Sequence, residues 1–190
     1  MANSKEIKEI MEESANVHLL SIAETEKLAH AIELIISSFK HGKKLILFGN
    51  GGSASDAQHI AAEFVGRYKN DRRGLPAIAL NTDTSALTAI SNDYGYEHVF
   101  SRQCEALVCE GDVVIAFSTS GNSKNVINGM KTANEKGAKV IAMTGRNGGQ
   151  MKHFADVTIN VQSDITARIQ ETHQTMGHIL CELVEKGLHY

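Results

Sequence analysis

Tryptophan is missing from this 190-residue chain, proline occurs once, as Pro76, and cysteine three times, as Cys104, Cys109 and Cys181. Average usage would supply roughly nine prolines, so little interrupts long helices and strands, and 16 glycines are at hand for tight turns. Four tyrosines and six phenylalanines leave little for the stacking platform that single-stranded nucleic acids need. An odd number of cysteines without C-x-x-C spacing argues against a disulfide framework or a Cys-rich zinc site. Neither sign of charge dominates: 19 Lys+Arg stand against 22 Asp+Glu, a net charge of −3. That excludes a nucleic-acid module working by overall charge and equally an acidic disordered tail. No apolar run approaches the ~18 residues of a membrane span, and the opening Met1-Ala2-Asn3-Ser4-Lys5-Glu6 leads into a charged segment rather than an apolar leader. The expectation is one soluble domain, cytoplasmic, with free thiols and with neither nucleic acid nor a membrane as partner.

What is present divides by period. Ile7, Ile10 and Met11, then Leu28, Ile32, Ile35 and Phe39, recur at helical spacing and predict two amino-terminal helices within residues 1–42. From Lys44 the pattern changes. Lys44–Phe48, Ala77–Leu80, Val113–Phe117, Lys139–Met143 and Val157–Val161 are short apolar runs, the habit of parallel strands covered on both faces. The intervening segments Ser55–Gly66, Ser85–Ser91 and Ser123–Lys136 are long enough for crossover helices, and a long helix runs from about Thr166 to Gly187. This order predicts an α/β fold: a doubly wound, flavodoxin-like, five-stranded parallel sheet in residues 43–163, with a carboxy-terminal helix in 164–190. No repeat or linker divides it, so residues 1–190 read as a single domain. In such sheets ligands bind beyond the carboxyl ends of the strands, which directs attention to the loops there.

Ser118-Thr119-Ser120-Gly121-Asn122-Ser123 follows the third strand and opens a helix. Hydroxyls, a glycine permitting close backbone approach and the positive end of a helix dipole make an anion site. With no Lys or Arg inside it, the loop would hold phosphate by hydrogen bonds and dipole. The same residue types are also default turn-formers, so one such loop is equally a capped turn. Asn50-Gly51-Gly52-Ser53-Ala54-Ser55 repeats the arrangement after the first strand. Neither loop has the Walker A or G-x-G-x-x-G spacing, which favours a small phosphorylated metabolite over a nucleoside triphosphate or dinucleotide. Asn92 and Asp93 offer a third polar contact or a solvated turn.

His59 and Glu63 lie four apart, on one helical face. They read as a helix-stabilising pair, as a carboxylate base, or as part of a divalent-metal site. The last helix interrupts apolar Ile169, Met176, Ile179, Leu180 and Leu183 with Gln170, Glu171, His173, Gln174 and His178. Each buried polar group there needs a partner. His178 is a satisfied core histidine or a functional one, and spacing alone aligns Glu171 and Gln174 with it better than Gln170. Arg67, Lys69, Arg72 and Arg73 form a basic cluster read as a solvated loop, from which an Arg could reach a sugar phosphate.

Taken together, GNGGSASDAQHIAAEFVGRY, AIALNTDTSALTAISNDYGYEHVFSRQ, EGDVVIAFSTSGNSKNVI, KVIAMTGRNGGQM and ARIQETHQTMGHIL resemble the sugar isomerase (SIS) superfamily and, within it, the phosphoheptose isomerases. The resemblance spans nearly all of residues 44–185. It implies a homotetramer with sites built from more than one subunit, and substrate contacts at Asn50, Gly51, Gly52, Glu63, Asn92, Asp93, Ser118, Thr119, Ser120, Ser123 and Gln170. It also implies one zinc ion on His59, Glu63, Gln170 and His178, with Glu63 and His178 as base and acid. The implied reaction converts sedoheptulose 7-phosphate to D-glycero-D-manno-heptose 7-phosphate through an enediolate, the first step toward ADP- or GDP-heptose precursors. One departure stands out: Thr166-Ala167-Arg168 carries no carboxylate where many members have Asp. Two rivals share the resemblance. One is a non-catalytic SIS adaptor that binds the bacterial replication initiator DnaA but lacks the counterparts of Glu63 and His178. The other is an SIS isomerase of hexose or hexulose phosphates.

Overall fold

In the computed structural model, residues 3–190 are described; Met1 and Ala2, the start of the segment read above as lacking a leader, lie outside them. Helices α1 (Ser4–Leu20) and α2 (Thr25–Lys40) are joined by a single 3-10 turn at Ser21–Glu24. There follow β1 (Leu45–Phe48), α3 (Gly52–Val65), β2 (Ala77–Ala79), α4 (Thr84–Tyr94), α5 (Val99–Leu107) and β3 (Val113–Ser118). The chain continues with α6 (Lys124–Glu135), β4 (Lys139–Gly145), β5 (Val157–Val161) and α7 (Thr166–Gly187). The five strands form one all-parallel sheet in the order β2-β1-β3-β4-β5, with Ile46 opposite Val114 and Ile115 opposite Ile141.

Strand side chains alternate between faces, and each face builds its own core. Leu45, Leu47, Ile115, Phe117, Ile141 and Met143 pack with Ile35 of α2, Ile60 and Phe64 of α3, and Leu180 and Val184 of α7. Ile46, Phe48, Val114, Ala116, Val140 and Ala142 pack on the other side with Phe100 and Cys104 of α5 and Met130 of α6. The central strands β1 and β3 are buried along their whole length, as continuous apolar runs should be.

The edge strands differ from the expectation of two covered faces. Ile78 of β2 is exposed, and β5 alternates buried Val157, Ile159 and Val161 with half-buried Thr158 and Asn160, because the helices described leave these positions at the sheet edges incompletely covered. A further helix, α5, lies between the second and third strands. Gly95, at φ +91, ends α4 early, and Val99, Phe100 and Cys104 then carry a second apolar face whose short length hid its period. In α1, Ile7, Ile10 and Met11 sit on a helix as expected but are exposed.

Candidate active site

The sheet order reverses between β1 and β3, since α3 leaves β1 toward one face and α6 leaves β3 toward the other. A crevice opens at such a switch point. Here it is a cleft of about 260 Å³ lined by Asn50–Ser53 after β1, Ser118–Ser120 and Ser123 after β3, and Thr166 and Gln170 of α7. Three helices, α3, α6 and α7, begin at this cleft, and in none does the N-cap side chain accept from the first-turn N–H groups. Their first-turn N–H groups and dipole ends therefore converge on one small polar volume, a setting for an anion.

The hydroxyls are pre-arranged. Ser118 and Ser123 Oγ lie 2.9 Å apart, and Ser120 Oγ accepts from the N–H of Asn122 at 3.2 Å. Gly121, at φ +65, lies so close to the backbone of Gly148 and Gly149 that any Cβ would collide with it. Asn50 behaves otherwise than its neighbours. Its carboxamide exchanges two 2.9 Å hydrogen bonds with buried Asn125 and accepts from Tyr96 Oη at 3.1 Å. That clasp ties the β1 loop to the start of α6. Asn92 and Asp93 are exposed at the end of α4, bonded to each other at 2.8 Å and outside the cleft lining of a single chain.

Helices α3 and α7 run side by side in the same direction, as three contacts in order show. Gly52 meets the Gln170 carboxamide, Ile60 meets Gly177, and His59 meets His178. Two turns along from the cleft the pair presents its chemistry. His59 Nε2 lies 3.0 Å from His178 Nε2 and 3.3 Å from Glu63 Oε1, and ligand atoms of all three residues fall within 4.8 Å of one another. Glu63 and His178 are partly buried, and His59 is open to solvent. Three lone-pair-bearing groups packed this closely, of the N and O types zinc prefers, fit a divalent metal. Tyr68 flanks the group, its ring centroid 5.6 Å from that of His178.

The structure decides how α7 is turned. Glu171 faces α1, where its carboxylate accepts from Ser14 at 2.7 Å and pairs with Arg168 at 3.3 Å. Gln170 sits at the cleft against Gly52, and Gln174 Nε2 lies 3.1 Å from His178 Nε2. Gln174 was legible as a member of the His178 stripe; its contact depends on the packing of the two helices. Asp56, one turn before His59, went unread in the sequence. Burial raises its pKa to about 6 against the pull of His59, and its Oδ2 has no hydrogen-bond partner among the described residues. Of the basic cluster read as a solvated loop, Arg67, Lys69 and Arg73 are exposed, but the Arg72 side chain is fully buried against Glu185. The correction has a physical cause: Arg72 finds carbonyl acceptors at the end of α3 that water would otherwise have to satisfy.

Two wider polar grooves, of about 570 and 690 Å³, border β5 and the loops after β4 and β5. The larger one shares Ser120 with the cleft, but neither reaches the loop after β1 or the start of α7, which the smaller cleft joins to the loop after β3.

A parallel sheet with a polar cleft at its switch point, joined to a His–Glu–His group on adjoining helices, has the arrangement expected of a protein acting on a small molecule. The profile of the SIS domain family matches residues 11–145. The chain is 55% identical to the phosphoheptose isomerase of Aquifex aeolicus over 183 residues, 96% of each chain. It is also 53% identical over 188 residues to that of Sulfurimonas denitrificans, covering 97% of this chain and 96% of the relative. Among solved structures, the phosphoheptose isomerase of Neisseria gonorrhoeae superimposes with a TM-score of 0.91 at 44% identity, over 96% of this chain and 98% of that one. The chain belongs to the SIS domain family, in its phosphoheptose isomerase branch, and is a sugar-phosphate isomerase.

Proposed function

We propose that the chain interconverts sedoheptulose 7-phosphate and D-glycero-D-manno-heptose 7-phosphate, opening the route to ADP- or GDP-heptose precursors in the cytoplasm. One observation carries the reading: the three-helix anion cleft and the His59–Glu63–His178 group lie on the same pair of parallel helices. From Gly52 to His59 is seven residues, roughly 10 Å along a helix, a reach suited to an extended sugar chain with a terminal phosphate. Phosphate bound at Ser118, Thr119, Ser120, Ser123 and the backbone of Gly51 and Gly52 anchors one end. Binding energy remote from the reaction then orients carbons one and two beside Glu63.

Moving a carbonyl between neighbouring carbons requires a base to lift a proton and a partner for the oxygen that gains charge. Glu63 takes the proton from the carbon next to the carbonyl, giving an enediolate, and returns it to the neighbouring carbon. His178, 3.0 Å from His59, donates a proton to the former carbonyl oxygen and takes one from the hydroxyl on the neighbouring carbon, which becomes the new carbonyl. As the alternative to direct proton donation by His178, His59, Glu63 and His178 would hold a zinc ion, which when bound supplies Lewis-acid polarisation of a carbonyl oxygen; Gln170, the fourth ligand the family implies, is seated at the cleft against Gly52, eight residues before His178. Asn92 and Asp93 face outward in one chain and would reach substrate in a neighbouring subunit of a homotetramer. Presence of Glu63 and His178 favours an isomerase over the initiator-binding adaptor. The deciding experiment is a coupled assay on sedoheptulose 7-phosphate and fructose 6-phosphate with Glu63→Gln alongside. Turnover of the heptose phosphate, abolished in the variant, supports the reading; retained turnover removes Glu63 as base, and preference for the hexose phosphate points to the other SIS isomerases.

A further inference from the structure

Glu63 lies two residues from the end of α3, in the turn where a helix frays unless its last carbonyls find donors. No left-handed glycine closes this end, since Gly66 holds φ −77. Arg72 supplies donors there, alongside the Leu75 N–H, which donates to the Phe64 carbonyl at 2.9 Å. The Arg72 guanidinium donates to the carbonyls of Glu63 at 2.9 Å, Phe64 at 2.9 Å, Gly66 at 3.2 Å and Arg73 at 3.0 Å. The remaining Nε donates to Glu185 Oε1 at 2.7 Å. Glu185 stands on α7 seven residues beyond His178, two turns along the same face. Its carboxylate also accepts the N–H groups of Tyr68, Lys69 and Asn70 at 2.9, 3.1 and 3.3 Å. The two side chains are 0% and 1% exposed.

Stability alone does not account for this arrangement. Taking two charges out of water is costly, and a well-packed apolar pair of similar volume serves folding as well or better. An apolar pair would not spread hydrogen bonds over three carbonyls at one helix end, the carbonyl of Arg73 and the carboxylate of the neighbouring helix. The result is a buried polar link, beside the apolar packing of Phe64, between the turn that bears Glu63 and the helix that bears His178.

We propose that the Arg72–Glu185 pair is a positioning device for the isomerase site, holding Glu63 at a fixed place relative to His178. The proposal rests on the reading of Glu63 as the base. Neither partner touches the reacting atoms; both act through the backbone of α3. Lysine keeps the charge at position 72, but its compact ammonium cannot span these acceptors as a planar fork does.

In the full-length protein, Arg72→Lys is expected to lower kcat for sedoheptulose 7-phosphate about 10–100-fold with KM within about threefold, while circular dichroism shows the parental folded fraction at the assay temperature. In a Glu63→Asp background, where the base is already displaced, the same substitution should cost less than about threefold. An Arg72 that serves folding alone costs the same factor in both backgrounds. That result, or a folded Arg72→Lys protein with parental kcat, overturns the proposal. Should Arg72→Lys fail to fold, Glu185→Gln goes through the same cycle under the same criterion. A parent protein that is folded but inert toward the sugar phosphate overturns the isomerase reading, and the proposal with it, before any variant is compared.

Discussion

Ser120 and Asn50 show how neighbouring candidates divide their work. Ser120 lines the cleft with its hydroxyl, whereas the Asn50 side chain is engaged by Asn125 and Tyr96, leaving its backbone for a ligand. Ser120→Ala should therefore raise KM for the phosphorylated heptose about tenfold, the worth of one charge-assisted hydrogen bond, and leave binding of unphosphorylated sedoheptulose unchanged in a competition assay. Two other residues predict how stability follows pH. His173, wholly buried and bonded to the Thr144 carbonyl at 3.0 Å, is pushed down to about 4 by burial. The unfolded chain takes up that proton first, so its contribution falls as pH drops from about 6.5 to 4, by about 3 kcal/mol. Asp56, raised to about 6, has the opposite sign: the folded state holds the proton longer, so stability falls as pH rises from about 4 to 6. The two slopes oppose each other in the parent. Asp56→Asn should leave His173 unopposed, and urea titrations of that variant should lose about 3 kcal/mol between pH 7 and 4.

The decisive element is the α3–α7 pair. Gly177 lets the helices approach until its Cα lies against Ile60, where any Cβ would collide with the Ile60 side chain. Gly177→Leu should force the helices apart, destabilise the fold by about 1–3 kcal/mol, and reduce kcat more than phosphate affinity, because the cleft lies about two turns away. Thermal melts beside steady-state kinetics check both halves. Parallel strands, their order of appearance and both glycine- and serine-bearing loops at the sheet edge were legible in the sequence, because each is a local pattern of period and turn chemistry. Helix α5 and the open faces of β2 and β5 were less so: the first is too short to establish a period, and the others depend on which strands end at the sheet edge. The choice among Gln170, Glu171 and Gln174 was hidden for a related reason. These residues are neighbours on one helix, and only the partner helix says which direction is inward.

For the whole molecule, the unexplained surface is the apolar one. Ile7, Ile10 and Met11 of α1, with Ile22 after it and Ile179 and Leu183 of α7, are exposed in a single chain, as expected of a surface that another copy covers. Light scattering should give the mass of four chains, and Ile10→Glu with Met11→Glu should dissociate them and lower activity if Asn92 and Asp93 act across the interface. Among the described residues no helix is long and apolar enough to cross a membrane. By itself the sequence determined the α/β layering, the two glycine- and serine-bearing loops and the residue types available for acid–base work, all properties of short stretches of chain. Only the tertiary structure decided that α3, α6 and α7 begin at one cleft, that His178 meets His59 and Glu63, and that Arg72 is buried. Each of these joins separate segments of the chain through packing that no local period encodes.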